Sequence, residues 1–296
     1  TIPMSTYLVA FIIGPFEASR TINVDGTNLR IIYPKGKGHL CEFSLEMGEY
    51  ALRYFSNYYK IPYPGDKLDM VAIPDFAFGA MENLGCITYR EALLLVDTQM
   101  ATSNEIIRIA DVICHEIAHM WFGYLVTMKW WNGIWLNEAF ATFMATYCSE
   151  RFNPGWHRWD QFSLERSMAF DVDSLENSRP IEYPVISPKD ADGMFDLLTY
   201  EKGGSVLRML EQFIGPDKFR DGVRHYLKKH SFSNTDTNDL WDSIQQITEL
   251  PISEIMYSWI FKKGYPLIGI EKDLQNNQII LHQKKFSYFK SSNDTV

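Results

Sequence analysis

The sequence predicts an α+β fold: a mainly β opening, a helical second part, and strands again at the end. Three observations carry that expectation. Apolar runs of strand length, punctuated by turn residues, fill roughly the first hundred residues. From Ser103 onward apolar residues recur at helical spacing instead. With 296 residues, 46% of them hydrophobic, the chain can bury one large core or two smaller ones.

In chain order, TYLVAFIIG (6–14), TNLRIIYP (27–34), KLDMVAIPDF (67–76) and CITYREALLLV (86–96) read as strands, with Pro64-Gly65 as a turn. A helical stretch, SLEMGEYALRYFSNYYK (44–60), separates the second from the third. TSNEIIRIADVICHEIAHMWFG (102–123) opens with cap residues and is expected to run as a helix to Gly123. IWLNEAFATFMATYCSERF (134–152) is the next helix, stopped by Asn153-Pro154-Gly155. Further helices are expected near 156–170, 200–214, 216–230, 237–248 and 252–262, the last beginning beside Pro251 and ending at Gly264. YPLIGIEKD (265–273) and QIILHQKKFSYF (278–289) then read as strands around an Asn276-Asn277 turn.

Acidic residues outnumber basic ones 37 to 28, for a net charge of −9, which argues against nucleic acid or an anionic membrane as the main partner. No apolar run reaches the ~18 residues of a membrane span. Cys41, Cys86, Cys114 and Cys148 lack metal spacing and fit reduced thiols, so the expected compartment is cytoplasmic. One glycosylation sequon, Asn293-Asp294-Thr295, lies in a polar tail. The chain starts at Thr1 and reads as a piece of a longer polypeptide.

The chemistry concentrates in VICHEIAHMWFG (112–123). On a helix, His115 and His119 lie roughly 40° apart and about one turn from each other, so both rings face one way. Ile106, Ile109, Ala110, Ile113 and Ile117 occupy an arc roughly 100° wide on the opposite side. Two imidazoles on a largely apolar helix need a partner, and a metal ion is the partner this geometry suits. Glu116 sits about 60° around from His119, placed to reach a metal-bound water as general base without being a ligand. Eighteen residues intervene between His119 and Glu138, which stands near the start of the next helix and can supply a third ligand. Two His and one Glu leave one coordination position open, as a catalytic zinc site requires.

GAMEN (79–83), HEIAH (115–119), NEAFA (137–141) and YEKGGSVLRML (200–210), in this order and spacing, resemble the zinc aminopeptidase family typified by aminopeptidase N and leukotriene hydrolase. The resemblance covers about Ser19 to Gly264. It implies a thermolysin-like zincin catalytic domain over 19–264, mainly sheet in 19–102 and mainly helical in 103–264. Residues 1–18 then resemble the last strands of an upstream β domain, and 265–296 the start of a β-sandwich. One zinc ion per chain would be held by His115, His119 and Glu138, with Glu116 as the base. Glu82 matches the carboxylate that holds the substrate's free α-ammonium, flanked by Gly79, Ala80, Met81 and Asn83 as substrate-binding residues. A fixed anion there makes a charge-assisted bond only to a chain terminus. Tyr200 matches the tyrosine that stabilises the oxyanion.

The expected activity is therefore hydrolysis of the N-terminal peptide bond of peptides. The rivals are a thermolysin-type endopeptidase, an epoxide hydrolase side activity as in the leukotriene branch, and an inactive scaffold on the same fold. Glu82 argues against the first, nothing selects for the second, and the full ligand set argues against the third. In the family a second amine-binding residue comes from the upstream β domain and a later helical domain closes the cleft. The remaining β and helical domains of the parent polypeptide are thus expected partners, and the isolated piece is expected to bind zinc with weak activity. Trp121, Trp130, Trp131 and Trp135 read as core or cleft wall, and His39, His157, His225, His230 and His282 have no ligand spacing.

Overall fold

In the computed structural model, which describes residues 2–288, a mixed sheet is followed by a helical lobe. The elements in order are β1 (Phe16–Ala18), β2 (Ile22–Val24), β3 (Thr27–Pro34), α1 (Glu42–Tyr59), β4 (Lys67–Ile73), β5 (Ala80–Met81) and β6 (Cys86–Arg90). Then come α2 (Ser103–Ala118), β7 (Val126–Met128), α3 (Trp135–Phe152), α4 (Arg158–Asp173), α5 (Pro188–Asp192), α6 (Gly203–Ile214), α7 (Pro216–Lys229), β8 (Ser233–Thr235), α8 (Thr237–Thr248) and α9 (Ile252–Phe261). The hairpin of β9 (Pro266–Asp273) and β10 (Gln278–Lys285) closes the described chain. The sequon at 293–295 lies outside the described residues.

The sheet runs β1-β3-β4-β6-β5, with β2 also paired to β3. β3, β4 and β6 are mutually parallel; β1, β2 and β5 join antiparallel. β3 alternates, burying Thr27, Leu29, Ile31 and Tyr33. β4 is buried on both faces from Leu68 to Ala72, as a central parallel strand must be. One continuous core joins this sheet to α1, α2, α3 and the later helices. α3 is its axis: 13 of its 18 residues are buried, so no face of it is given to solvent alone.

Four sequence expectations are corrected. The run 6–14 is no strand: Thr6–Leu8 forms a 3-10 turn, and Val9, Phe11 and Ile13 are exposed without a ladder partner among the described residues. An apolar alternation makes a strand only where a neighbour satisfies its backbone. The helix expected to reach Gly123 ends at Ala118, because Met120 and Trp121 bond three residues back, to Ile117 and Ala118, which tightens the last turn. Gly123, at φ +136°, then reverses the chain. Likewise CITYREALLLV is strand only to Arg90 and the last helix ends at Phe261. The other long helices and strands lie where the sequence puts them, within a few residues. The four cysteines are free, and no helix among the described residues is long and apolar enough to cross a membrane.

Candidate active site

α2 starts on a capping box, in which the Thr102 hydroxyl accepts from Glu105 N–H while the Glu105 carboxylate accepts from Thr102 N–H. With its start fixed, its last turn delivers His115, Glu116 and the capping residue His119 to the floor of a cleft of about 880 Å³. α3 packs against α2 and brings Glu138, in its first turn, to the same point. His115 Nε2 lies 3.2 Å from Glu138 Oε2, His119 Nε2 lies 3.3 Å from the same oxygen, and the two Nε2 atoms are 3.0 Å apart. These three side chains form a group that could hold a metal ion.

The second ring nitrogen of His119 is spoken for. Its Nδ1 stands 2.9 Å from the Phe122 carbonyl, which can only accept, so Nδ1 carries a proton and it is Nε2 that faces the centre. Gly123 permits this arrangement: a Cβ there would stand 3.3 Å from Asn137 Nδ2 and 3.5 Å from His119 Nδ1. The turn after α2 therefore fixes which nitrogen of the His119 ring faces the centre, a role the sequence did not disclose.

Carboxylates dominate the electrostatics. The acceptor atoms of Glu82 and Glu116 lie with a His119 nitrogen inside a 4.8 Å group. Burial pulls His119 down, yet Glu82, Glu138 and Glu116 outweigh it and its pKa is pushed up to about 10. Burial would raise Glu138, but His119 and His115 hold it down to about 2. Glu116 lies well above the usual carboxylate range, chiefly because it is buried, and its Oε2 has no hydrogen-bond partner. Burial likewise raises Glu82. A buried site with three carboxylates around two imidazoles favours an added cation.

Tyr200 stacks over His115 at 6.0 Å between ring centroids. It stands in a π-helical turn, Leu198–Lys202, that leads into α6, an irregularity that re-aims a side chain relative to the regular helix. Gly203 makes the approach possible: a Cβ there would lie 2.6 Å from Ala139 Cβ on α3. Burial, then Glu138, Glu116 and Glu82, raise the Tyr200 phenol, so it stays a donor at neutral pH.

Of the GAMEN residues, Gly79, Ala80, Met81 and Glu82 line the cleft, on and beside the edge strand β5. Asn83 is not among the lining residues; its side chain accepts from Thr88 Oγ1 at 2.9 Å and donates to the Leu8 carbonyl at 3.4 Å, so it holds the loop. Trp121 and Trp135 are core, whereas Trp130 and Trp131 wall an apolar lobe of about 500 Å³ that opens beside Glu82. Val185, Ile186 and Phe195 complete that lobe, and no spacing pattern marks them. At the other end of the cleft the buried Arg158 pairs with Asp111 at 2.6 Å, tying α4 to α2. Tyr7, in the 3-10 turn Thr6–Leu8, also reaches the site.

A mixed sheet edge, a helix presenting two imidazoles, and a second helix presenting a carboxylate define a metallopeptidase-like centre. Residues 43–259 match the peptidase family M1 domain, and the chain belongs to that family. It is 41% identical over 283 residues to aminopeptidase M1-D of Oryza sativa subsp. japonica, covering 96% of this chain and 32% of that protein. It is 42% identical over 285 residues to the leucyl aminopeptidase of Saccharolobus solfataricus, covering 96% and 36%. Against the glutamyl aminopeptidase of Sus scrofa it is 39% identical over 296 residues, covering 100% and 31%. The chain thus spans about a third of the length of these relatives.

Proposed function

We propose that this chain is the catalytic domain of a zinc aminopeptidase that removes single residues from the N-terminus of peptides. In this reading the upstream boundary lies before β1, which pairs with β3 in the catalytic sheet, rather than at residue 18, and residues 1–15 and 265–296 belong to neighbouring β domains of a longer polypeptide. The four free cysteines support a cytoplasmic setting.

The observation that carries the exopeptidase reading is Glu82. Its carboxylate is only 4% exposed and sits within the 4.8 Å group that includes Glu116 and His119. The only backbone group of a peptide that carries positive charge is its first amine. A buried, fixed anion this close to the reacting centre therefore selects the chain start and limits how far the peptide can slide. The unpaired edge of β5 supports an extended substrate backbone beside it.

His115, His119 and Glu138 would hold the zinc. Their donor atoms stand 3.0, 3.2 and 3.3 Å apart, close enough for one ion to touch all three. When bound, the ion would supply Lewis acidity, acidifying a water and polarising the scissile carbonyl. Glu116, made more basic by burial and with a free Oε2, takes the proton of the attacking water and hands it to the departing amine nitrogen. Tyr200, still protonated, donates to the oxygen on which negative charge develops.

Two measurements test this on the intact, zinc-loaded polypeptide. Acetylating the N-terminus of a peptide substrate should abolish cleavage; an enzyme indifferent to the acetyl group would be an endopeptidase. Glu116→Gln should keep stoichiometric zinc while turnover falls on the order of a hundredfold or more. Near-normal turnover in that variant would remove Glu116 as the base.

A further inference from the structure

We propose that Tyr7 is a substrate-positioning residue: its hydroxyl holds the Glu82 carboxylate in the orientation that receives the substrate's α-ammonium. The inference rests on the reading of Glu82 given above and identifies the group that fixes it.

Tyr7 lies in the 3-10 turn Thr6–Leu8, outside the sheet and outside the family match at 43–259. What anchors this strap is the GAMEN loop itself. The Leu8 carbonyl accepts from Leu84 N–H at 3.2 Å and from Asn83 Nδ2 at 3.4 Å, and the Leu8 side chain is buried. The strap and the loop carrying Glu82 are thus joined as one unit.

The hydrogen bonds of Tyr7 run in one direction. Asn137 Nδ2 donates to the phenol oxygen at 3.2 Å, and the phenol donates to Glu82 Oε1 at 3.1 Å. With its oxygen accepting from Asn137, the hydroxyl hydrogen is directed to Glu82. Burial, followed by the charge of Glu82, keeps the phenol protonated, so the donor is always present. Oε1 is thereby pinned, which fixes the plane in which the carboxylate meets a ligand. The Tyr7 ring is itself fixed edge-on against Trp131, with 5.5 Å between centroids. Both rings wall the apolar lobe beside Glu82, where the first side chain of a substrate would lie. Tyr7→Phe keeps that wall and removes only the donor.

The test uses two competitive ligands of the intact, zinc-loaded polypeptide: leucine hydroxamate and isocaproyl hydroxamate, which has the same side chain and zinc-binding group but no amine. Tyr7→Phe should weaken leucine hydroxamate about tenfold to a hundredfold, the range for a hydrogen bond to a charged group. Binding of isocaproyl hydroxamate should not change, and bound zinc by elemental analysis should stay at one per chain. KM for a leucyl fluorophore should rise in step, with kcat little altered. A merely structural role would shift both ligands together, or neither, and either result overturns the proposal. The wild type separates this from the parent reading. If it fails to prefer the amine-bearing ligand, the Glu82 assignment falls and takes this proposal with it. If that preference is present and survives intact in Tyr7→Phe, Tyr7 alone is dismissed.

Discussion

Gly203→Ala is the sharpest probe of how the cleft is held together. Gly203 begins α6 with ordinary helical angles, φ −58° and ψ −49°, so its backbone would not resist alanine. In an exposed helix the change would stabilise by about 0.5–1 kcal/mol through reduced chain entropy. Here the added Cβ would lie 2.6 Å from Ala139 Cβ, roughly 1 Å inside the normal 3.5–4.0 Å carbon contact. Both atoms belong to short side chains on packed helices, so neither can swing away. The π-helical turn and α6 must then move off α3 by most of that ångström. Overpacking of this kind costs about 1–3 kcal/mol, which outweighs the entropic gain. Because Tyr200 rides on the displaced turn and Glu138 on the other helix, the site opens as well. A misplacement of about 1 Å is worth on the order of a hundredfold in rate. Gly204→Ala is the control. Its Cβ would meet Thr142 at 3.5 Å and Phe162 at 3.6 Å, ordinary contacts, so that variant should be as stable as the parent or slightly more. The assay is kcat on an aminoacyl fluorophore together with a urea unfolding midpoint, both on zinc-loaded protein. Equal behaviour of the two variants would refute the close-packing argument.

Two further outcomes follow from buried charges. Asp173 is almost wholly buried and accepts from Lys202 Nζ at 2.7 Å, Ser178 Oγ at 2.6 Å and Gly264 N–H at 2.8 Å; Asp173→Ala should cost about 3–5 kcal/mol by urea unfolding, since it strands Lys202. A loss below about 1 kcal/mol would mean that Lys202 finds water instead. Burial, then Glu165, pushes Glu201 up to about 7, and its Oε2 lacks a partner. The folded state therefore holds a proton that the unfolded chain releases near pH 4.5, so stability contributed by this group falls as pH rises from about 4.5 to about 7. Glu201→Gln should flatten that slope and gain about 2–3 kcal/mol at pH 8. An unchanged slope in thermal melts across pH 5 to 8 would count against it.

Much of the site is legible in the sequence because it is local. His115, Glu116 and His119 share one turn of a helix whose capping box and apolar back are visible as residue types, and Glu138 sits in the next helix. Tyr7 is illegible for the opposite reason: its partners Glu82 and Asn137 lie 75 and 130 residues away. Its own segment alternates like a strand but has no ladder partner among the described residues. β7 and β8 show the same limit, three residues each, paired across more than a hundred intervening positions, with no periodicity to announce them. The turn after α2 lies between these extremes. Gly123 marks a break, but the Phe122 carbonyl that fixes which His119 nitrogen faces the centre is a backbone atom that no sequence pattern encodes.

The seating of Glu138 on α3 divides what can change in this molecule from what cannot. Because that helix is the molecule's axis, altering the reach of Glu138 means rebuilding the interior, whereas Trp130 and Ile186, at the rim of the apolar lobe, are 56% and 89% exposed and can be exchanged at little cost to folding. Under the proposed function, exchange at that rim would alter which first side chain fits and leave the His115, His119 and Glu138 cluster in place.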